Sequence, residues 1–272
     1  MYQPSLFISH GAPDIALRNE HPSYRFFQEL PNMFPRPDAI VILSAHWCTD
    51  HIMIAKDESY KAIYDFGGFD ERLYSMKYFP KGSPDLARMT LDLLKQNDSK
   101  AELVINAGLD HGAWIPLMLM YPDPYIPVVQ VSIQPDRLPS YHYALGASLA
   151  ELRSQNVLII GSGAMTHNLS KLALNDHDVI PPRWVSAFAD WMKERLEAGD
   201  NESVLQCRTL APYAQENHPT DDHLVPLFIA MGAGGGGTAQ RIHTATTYGT
   251  VMMDAYEFTL QMQNCLNRKF NH

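Results

Sequence analysis

Cysteine, basic residues and long apolar runs are all scarce in this 272-residue chain. Its three cysteines, Cys48, Cys207 and Cys265, lie far apart and fit neither a CxxC pair nor a zinc-finger spacing. That excludes a disulfide-built scaffold and a cysteine zinc site, and so sparse a count suits a reducing cytoplasm. Lys and Arg number 21 against 30 acidic residues, a formal net charge of −9, with no basic cluster anywhere. A nucleic-acid surface and an anionic-membrane surface are both excluded on that balance. No apolar stretch approaches the roughly 18 residues of a membrane span. The opening MYQPSLFIS has neither the basic start nor the long apolar centre of a signal peptide, so a cytoplasmic protein is expected.

What the chain does have is 46% hydrophobic and 19% charged residues, an ordinary globular balance. No repeat or Pro/Gly/Ser linker divides it, so residues 1–272 are read as one domain. Short Val/Ile/Leu runs bounded by Gly, Ser or Pro predict buried strands near residues 4–9, 39–45, 51–55, 102–106, 126–133 and 156–161, with a weaker one at 247–253. Helical patterns fall between them. Ser83 caps a helix with Pro84 at its first position. Tyr141, Leu145, Leu149 and Leu152 share one face of 139–153, and Phe188, Trp191, Met192 and Leu196 one face of 184–196. The run 224–231 is apolar nearly all round, which predicts a buried helix. This alternation predicts an α/β fold: a mostly parallel central sheet with helices on both faces. Gly234 to Gly237 read as a flexible turn, since they lack the Lys and Ser/Thr of a phosphate loop.

Four of the twelve histidines, His10, His46, His111 and His167, stand just past such a run. Ligands of open α/β sheets bind beyond the carboxyl ends of the strands, so these imidazoles converge on one cleft, as a divalent transition metal requires. His10 and His46 have the best-matched settings and are the first metal candidates. A third ligand comes from HPTDDHLVPLF. There Thr220 reads as an N-cap, Asp221 and Asp222 as first-turn acids, and His223 as the third helical residue, kept neutral by the helix N-terminus. His218, before Pro219, is the alternative and reads as a supporting residue. His167, after the small residues Gly161-Ser162-Gly163, and His111, whose tautomer the adjacent Asp110 can fix, are left for acid/base work. His21, His51, His142, His177, His243 and His272 read as surface or structural. Cys48 reads as a small packed hydrophobe, Ser162 as no nucleophile because G-x-S-x-G is absent, and YDFGGF (64–69) as an aromatic wall.

Taken in order, SHGAP, RPDAIVILSAHW, YDFGGF followed by YFPKGSP, LDHGAW, IPVVQVSI, GSGAMTHN, HPTDDHLVPL and GTVMMDAYEF span nearly the whole chain. Together they resemble the class III extradiol ring-cleavage dioxygenases, in the 4,5-DOPA extradiol dioxygenase branch. The resemblance implies an α/β fold with metal at the strand ends. It implies that His10, His46 and His223 bind the metal and that His167 is an acid/base catalyst and candidate further ligand. His111 would be a second active-site histidine. The protocatechuate branch carries Glu as third ligand, where this chain has His223. The cofactor implied is Fe(II), with Zn(II) an expected occupant of purified protein because its intrinsic affinity is higher. The partners implied are a catechol such as DOPA and O₂, with no nucleic acid and no membrane. Arg36, Lys77, Lys81 and Arg183 are the basic residues available to a substrate carboxylate. A zinc-dependent hydrolase on the same imidazoles is the competing reading, although no H-E-x-x-H is present. A binding module on the scaffold would need those histidines eroded, and all five stand.

Overall fold

A computed structural model describes residues 2–173 and 180–259. Its strands are β1 (Ser5–Ser9), β2 (Ala39–Cys48), β3 (Met53–Ala55), β4 (Glu102–Val104), β5 (Val128–Ile133), β6 (Val157–Gly163), β7 (Ala239–His243), β8 (Thr246–Thr247), β9 (Val251–Met252) and β10 (Ala255–Phe258). Eight of them form one sheet in the order β4-β3-β5-β2-β6-β1-β10-β7. The central four, β5, β2, β6 and β1, are parallel. Almost every residue of these four is buried, which is why they read as continuous apolar runs rather than as alternation. The sheet turns antiparallel at both flanks, where β3 meets β5 and β10 meets β1.

The principal helices are α1 (Pro22–Glu29), α2 (Pro84–Leu94), α3 (His111–Met120), α4 (Pro139–Leu149), α5 (Arg183–Glu197) and α6 (Val225–Ala233). Ser83 caps α2 through Leu86 N, and Pro84 holds its first position. On one face of the sheet, α3 packs under β1, β2 and β6 through Trp114, Ile115 and Leu117. On the other, Val225 and Ile229 of α6 pack with Leu145 and Leu149 of α4 against Val41 and Ile159. None of the described helices is long and apolar enough to cross a membrane.

Two expectations are corrected. The run at 247–253 is not a strand of the main sheet. It is a small hairpin, β8–β9, because Tyr248 (φ 51°) and Gly249 (φ 68°) turn the chain over. That flank of the sheet is made instead by β10 and, at the edge, β7, whose short, partly polar sequences carry little strand signal. The helix expected to begin at Thr220 begins at Val225, with Leu224 as its cap residue. Pro226 explains this: a helix begun earlier would need its absent N–H to reach Asp222 O. His223 therefore sits in the turn ahead of α6, not in the helix.

That turn is seated on β6 by backbone contact. Ala164 N donates to His223 O at 2.9 Å, and a Cβ at Gly163 would lie 2.1 Å from the same oxygen. Only glycine permits the approach.

Candidate metal centre

β1 delivers His10 just past its last residue, and His10 N is fixed to Gly163 O at 3.0 Å. His46 lies in β2 where its ladder with β5 slips between Leu43 and Cys48, an irregularity of the kind that re-aims a side chain. His46 Nε2 is 3.1 Å from His10 Nε2 and 3.3 Å from His223 Nε2. Among the described residues these three form one of three groups whose donor atoms lie within 4.8 Å of one another.

The outer ring nitrogens of His10 and His223 each have a partner that sets the tautomer. His10 Nδ1 donates to Ser162 Oγ at 3.0 Å, since the Ser162 hydroxyl is itself donated to Gly112 O at 2.5 Å. His223 Nδ1 donates to Asp222 Oδ2. His46 Nδ1 faces Asp65 Oδ2 at 3.7 Å. For His10 and His223 the proton is thereby held outward and the Nε2 lone pair turned inward, the state a metal ligand needs. Burial, then the neighbouring imidazoles, push His10 well below the usual histidine range. The same two causes push His46 down to about 2 against the opposing charge of Asp65. His10 and His46 are therefore neutral at working pH.

His111 is the first residue of α3. The carboxylate that orients it is Asp65, not Asp110: Asp65 Oδ1 accepts from His111 N at 2.9 Å and Oδ2 from His111 Nδ1 at 3.0 Å. Burial alone would raise the Asp65 carboxyl, but the hydrogen bonds and charge of His111 hold it below the ordinary value. Asp110 instead caps α3 through Ala113 N and accepts from Ser44 Oγ at 2.6 Å and from Gln130 Nε2. Burial pushes its carboxyl up. Gly112 completes the floor, where a Cβ would come within 3.0 Å of both His10 and His46.

His167 lies beside this group, its ring stacked on His223 at 3.4 Å between centroids and 10° between planes. Its donor nitrogens fall in a second close group with Asp222 and His223. Burial, then His223 and His218, lower His167 to about 3, opposed by Asp222.

All five imidazoles line one cavity of about 520 Å³, with Asp65 among them, a size typical of small-molecule sites. Phe66 and Phe69 of the 64–69 segment form the expected aromatic wall. None of Arg36, Lys77, Lys81 and Arg183 lines it, nor does any other described Lys or Arg, so the expected carboxylate partners are not placed there.

His218 is buried, donates from Nε2 to Met165 O at 2.8 Å and stays outside the cluster, supporting the segment before His167. His21 caps α1, His51 meets Glu102, His142 meets Gln134 O, and His243 stacks on Phe26. His177, His272 and Cys265 lie outside the described residues. Cys48 is exposed rather than packed, because it ends β2, and partial burial with nearby carboxylates pushes its thiol up to about 11. Sequence reasoning missed Asp65 and Ser162. Asp65 lies 46 residues from the histidine it clamps, a distance at which spacing carries no signal.

An α/β sheet with converging imidazoles at the carboxyl ends of β1 and β2 is a frame that could hold a catalytic metal ion. Comparison with known proteins narrows the class. Residues 7–259 match the model of the catalytic LigB subunit of aromatic ring-opening dioxygenase. The chain is 40% identical over 262 residues to 4,5-DOPA dioxygenase extradiol of Beta vulgaris, covering 94% of this chain and 96% of that one. It is 34% identical to the protein of the same name from Escherichia coli K12, covering 85% and 84%. The crystal structure of an uncharacterized Escherichia coli K12 protein superposes with a TM-score of 0.77 at 29% identity, covering 94% of this chain and 99% of the other. The chain belongs to the extradiol aromatic ring-opening dioxygenase family, and it is an oxidoreductase of that class.

Proposed function

We propose that this enzyme uses Fe(II) to open the ring of a substituted catechol, DOPA or a related aromatic diol, beside rather than between its two hydroxyls. The observation that carries the metal assignment is the convergence of the Nε2 atoms of His10, His46 and His223. The relatives named 4,5-DOPA dioxygenase extradiol support the substrate class. Three converging imidazoles fit Fe(II) and leave positions for substrate, and they fit Zn(II) as well. Bound Fe(II) supplies the redox coupling between catechol and O₂.

The chain's own side chains do the rest. His167, neutral and next to the ligand cluster, takes a catechol proton and later returns it, a task suited to imidazole. His111, its Nδ1 tied to Asp65, keeps Nε2 for the substrate. Phe66 and Phe69 wall the ring and exclude water. Its sparse cysteines, Cys48 and Cys207 both being free, suit the reducing cytoplasm.

A zinc hydrolase on these imidazoles would need a carboxylate base. Asp65, which lines the cavity, already has both oxygens on His111. The test is oxygen-free loading with Fe(II), then exposure to air with DOPA, protocatechuate, caffeate and catechol. A coloured ring-fission product and one O₂ consumed per ring are expected. Ester hydrolysis by the zinc form, with no oxygen uptake by the iron form, would overturn the reading.

A further inference from the structure

Gly67 and Gly68 line the cavity between Phe66 and Phe69. Gly112 and Gly163 are demanded by close neighbours, His10 and His46 for one and His223 O for the other. Gly67 and Gly68 are not: a Cβ on either would meet nothing within 4 Å. Gly68 is accounted for by its φ of 78°, in the region glycine enters most readily. Gly67 has neither a positive φ nor a near neighbour, so neither backbone conformation nor packing asks for glycine there. Nor is the step a loose loop. Asp65 before it accepts from His111 N and Nδ1 at 2.9 and 3.0 Å. Asp70 after it caps the short helix Glu71–Ser75, accepting from Arg72 N at 2.9 Å. What Gly67 leaves is room on an anchored wall.

That room lies along an aromatic path. The Phe66 ring stands edge to face with His111, centroids 5.6 Å apart at 83°. Phe69 meets Phe66 in the same way one ring further on, at 5.8 Å and 87°. Both rings pack partly buried against the core, which fixes the surface they present. Leu169, Leu172 and Val251 line the same cavity, so its wall away from the histidines is largely apolar. A space of about 520 Å³ is of the size that takes drug-sized ligands. A bare catechol ring, held by its hydroxyls at the histidine end, leaves much of it unfilled.

On the catechol reading of the site given above, on which this inference rests, we propose that the preferred substrate carries a long, uncharged apolar substituent laid over Phe66 and Phe69. The missing side chain at Gly67 is the specificity determinant that keeps the path open. Each methylene fully covered by such a wall strengthens binding about fourfold. A side chain at position 67 takes the same place and shortens the substituent that fits.

4-Hexylcatechol and 4-methylcatechol separate long from short on one ring. The measurement is calorimetric binding of each to the Fe(II)-loaded full chain under argon, followed by kcat/KM for ring fission in air. The hexyl compound should bind about tenfold more tightly, as burial of roughly two of its added methylenes gives. Gly67→Gln, which fills the space with a polar chain, should lower that ratio by several-fold. Phe69→Ala removes the surface instead of covering it and should lower the ratio as well. Equal binding of the two compounds to the unaltered enzyme, or a ratio that either variant leaves unmoved, overturns the proposal. A preference for the hexyl compound that both variants erode, with no ring opened, would sustain it and sink the dioxygenase reading instead.

Discussion

The hydroxyl of Ser162 stands between His10 and the backbone of α3, accepting a hydrogen bond from His10 Nδ1 and donating one to Gly112 O. A serine that resembled a failed nucleophile is thus the residue that sets the tautomer of His10, a proposed metal ligand. Ser162→Ala should fold, because the site is small and buried in β6, yet bind metal about 10- to 100-fold more weakly. Titration of the metal-free protein with Fe(II) or Zn(II) measures this. Unchanged affinity would reduce Ser162 to a packing residue.

Removing a ligand and removing the catalyst should have different consequences. His10→Ala, His46→Ala and His223→Ala are each expected to lose bound metal, read by elemental analysis. His167→Ala should retain metal and lose about 10²- to 10⁴-fold in turnover. Metal loss from His167→Ala as complete as from His10→Ala would make His167 chiefly a ligand.

Asp65→Asn keeps the size of the side chain but presents an N–H to one of the two donors of His111. Metal content should hold while kcat falls roughly tenfold or more, with His111→Phe showing a comparable loss. Wild-type turnover in both variants would remove His111 and its clamp from the reaction.

Acid should destabilise the metal-free protein in a definite window. Six described histidines are depressed chiefly by burial: His10 well down, His46 to about 2, His167 to about 3, and His142, His218 and His243 to about 4. Below the ordinary value of 6.5 the unfolded chain binds protons that the folded chain refuses, so stability rises with pH and is lost as pH falls from 6.5 toward 4. Each histidine held neutral contributes a slope of about 1.4 kcal/mol per pH unit in that window. The depressed carboxylates Asp65 and Asp222 act only lower, below their ordinary value of 3.8. Calorimetric Tm values at pH 7.5, 6 and 5 should fall steadily; a flat profile would contradict the burial argument.

Gly163→Ala should cost metal binding as well as stability. Its Cβ would meet His223 O at 2.1 Å, so the turn carrying His223 must lift from β6. Strain of this kind costs about 1–3 kcal/mol or more, and loss of bound metal in soluble protein would distinguish displacement of the ligand from general unfolding.

The central strands, and the gathering of histidines at one end of them, were legible because both obey short-range rules: unbroken apolar runs for buried parallel strands, with His10, His46 and His167 near the carboxyl ends of β1, β2 and β6. Local pattern nominated His223 but misjudged its setting, since Pro226 moved the helix start past it. Asp65 was hidden because its role depends on two segments meeting in space. Asp110, the neighbour in sequence, was taken up by the helix cap and by Ser44 and Gln130. The flanking strands β7 and β10 were missed because residues such as Gln240, Arg241 and Glu257 interrupt their apolar pattern.

His46 lies 36 residues from His10 and 177 from His223. An ion held by all three is therefore a cross-link between the beginning, the first fifth and the last fifth of the chain. No short stretch can hold it alone, so the unfolded chain has little to offer the ion, and its binding energy goes almost wholly to the folded form. Free metal at a hundred times Kd would add about 2.7 kcal/mol. Iron or zinc starvation should then show first as faster proteolysis in the 218–224 turn, which in the loaded enzyme is clasped to the strands beneath it.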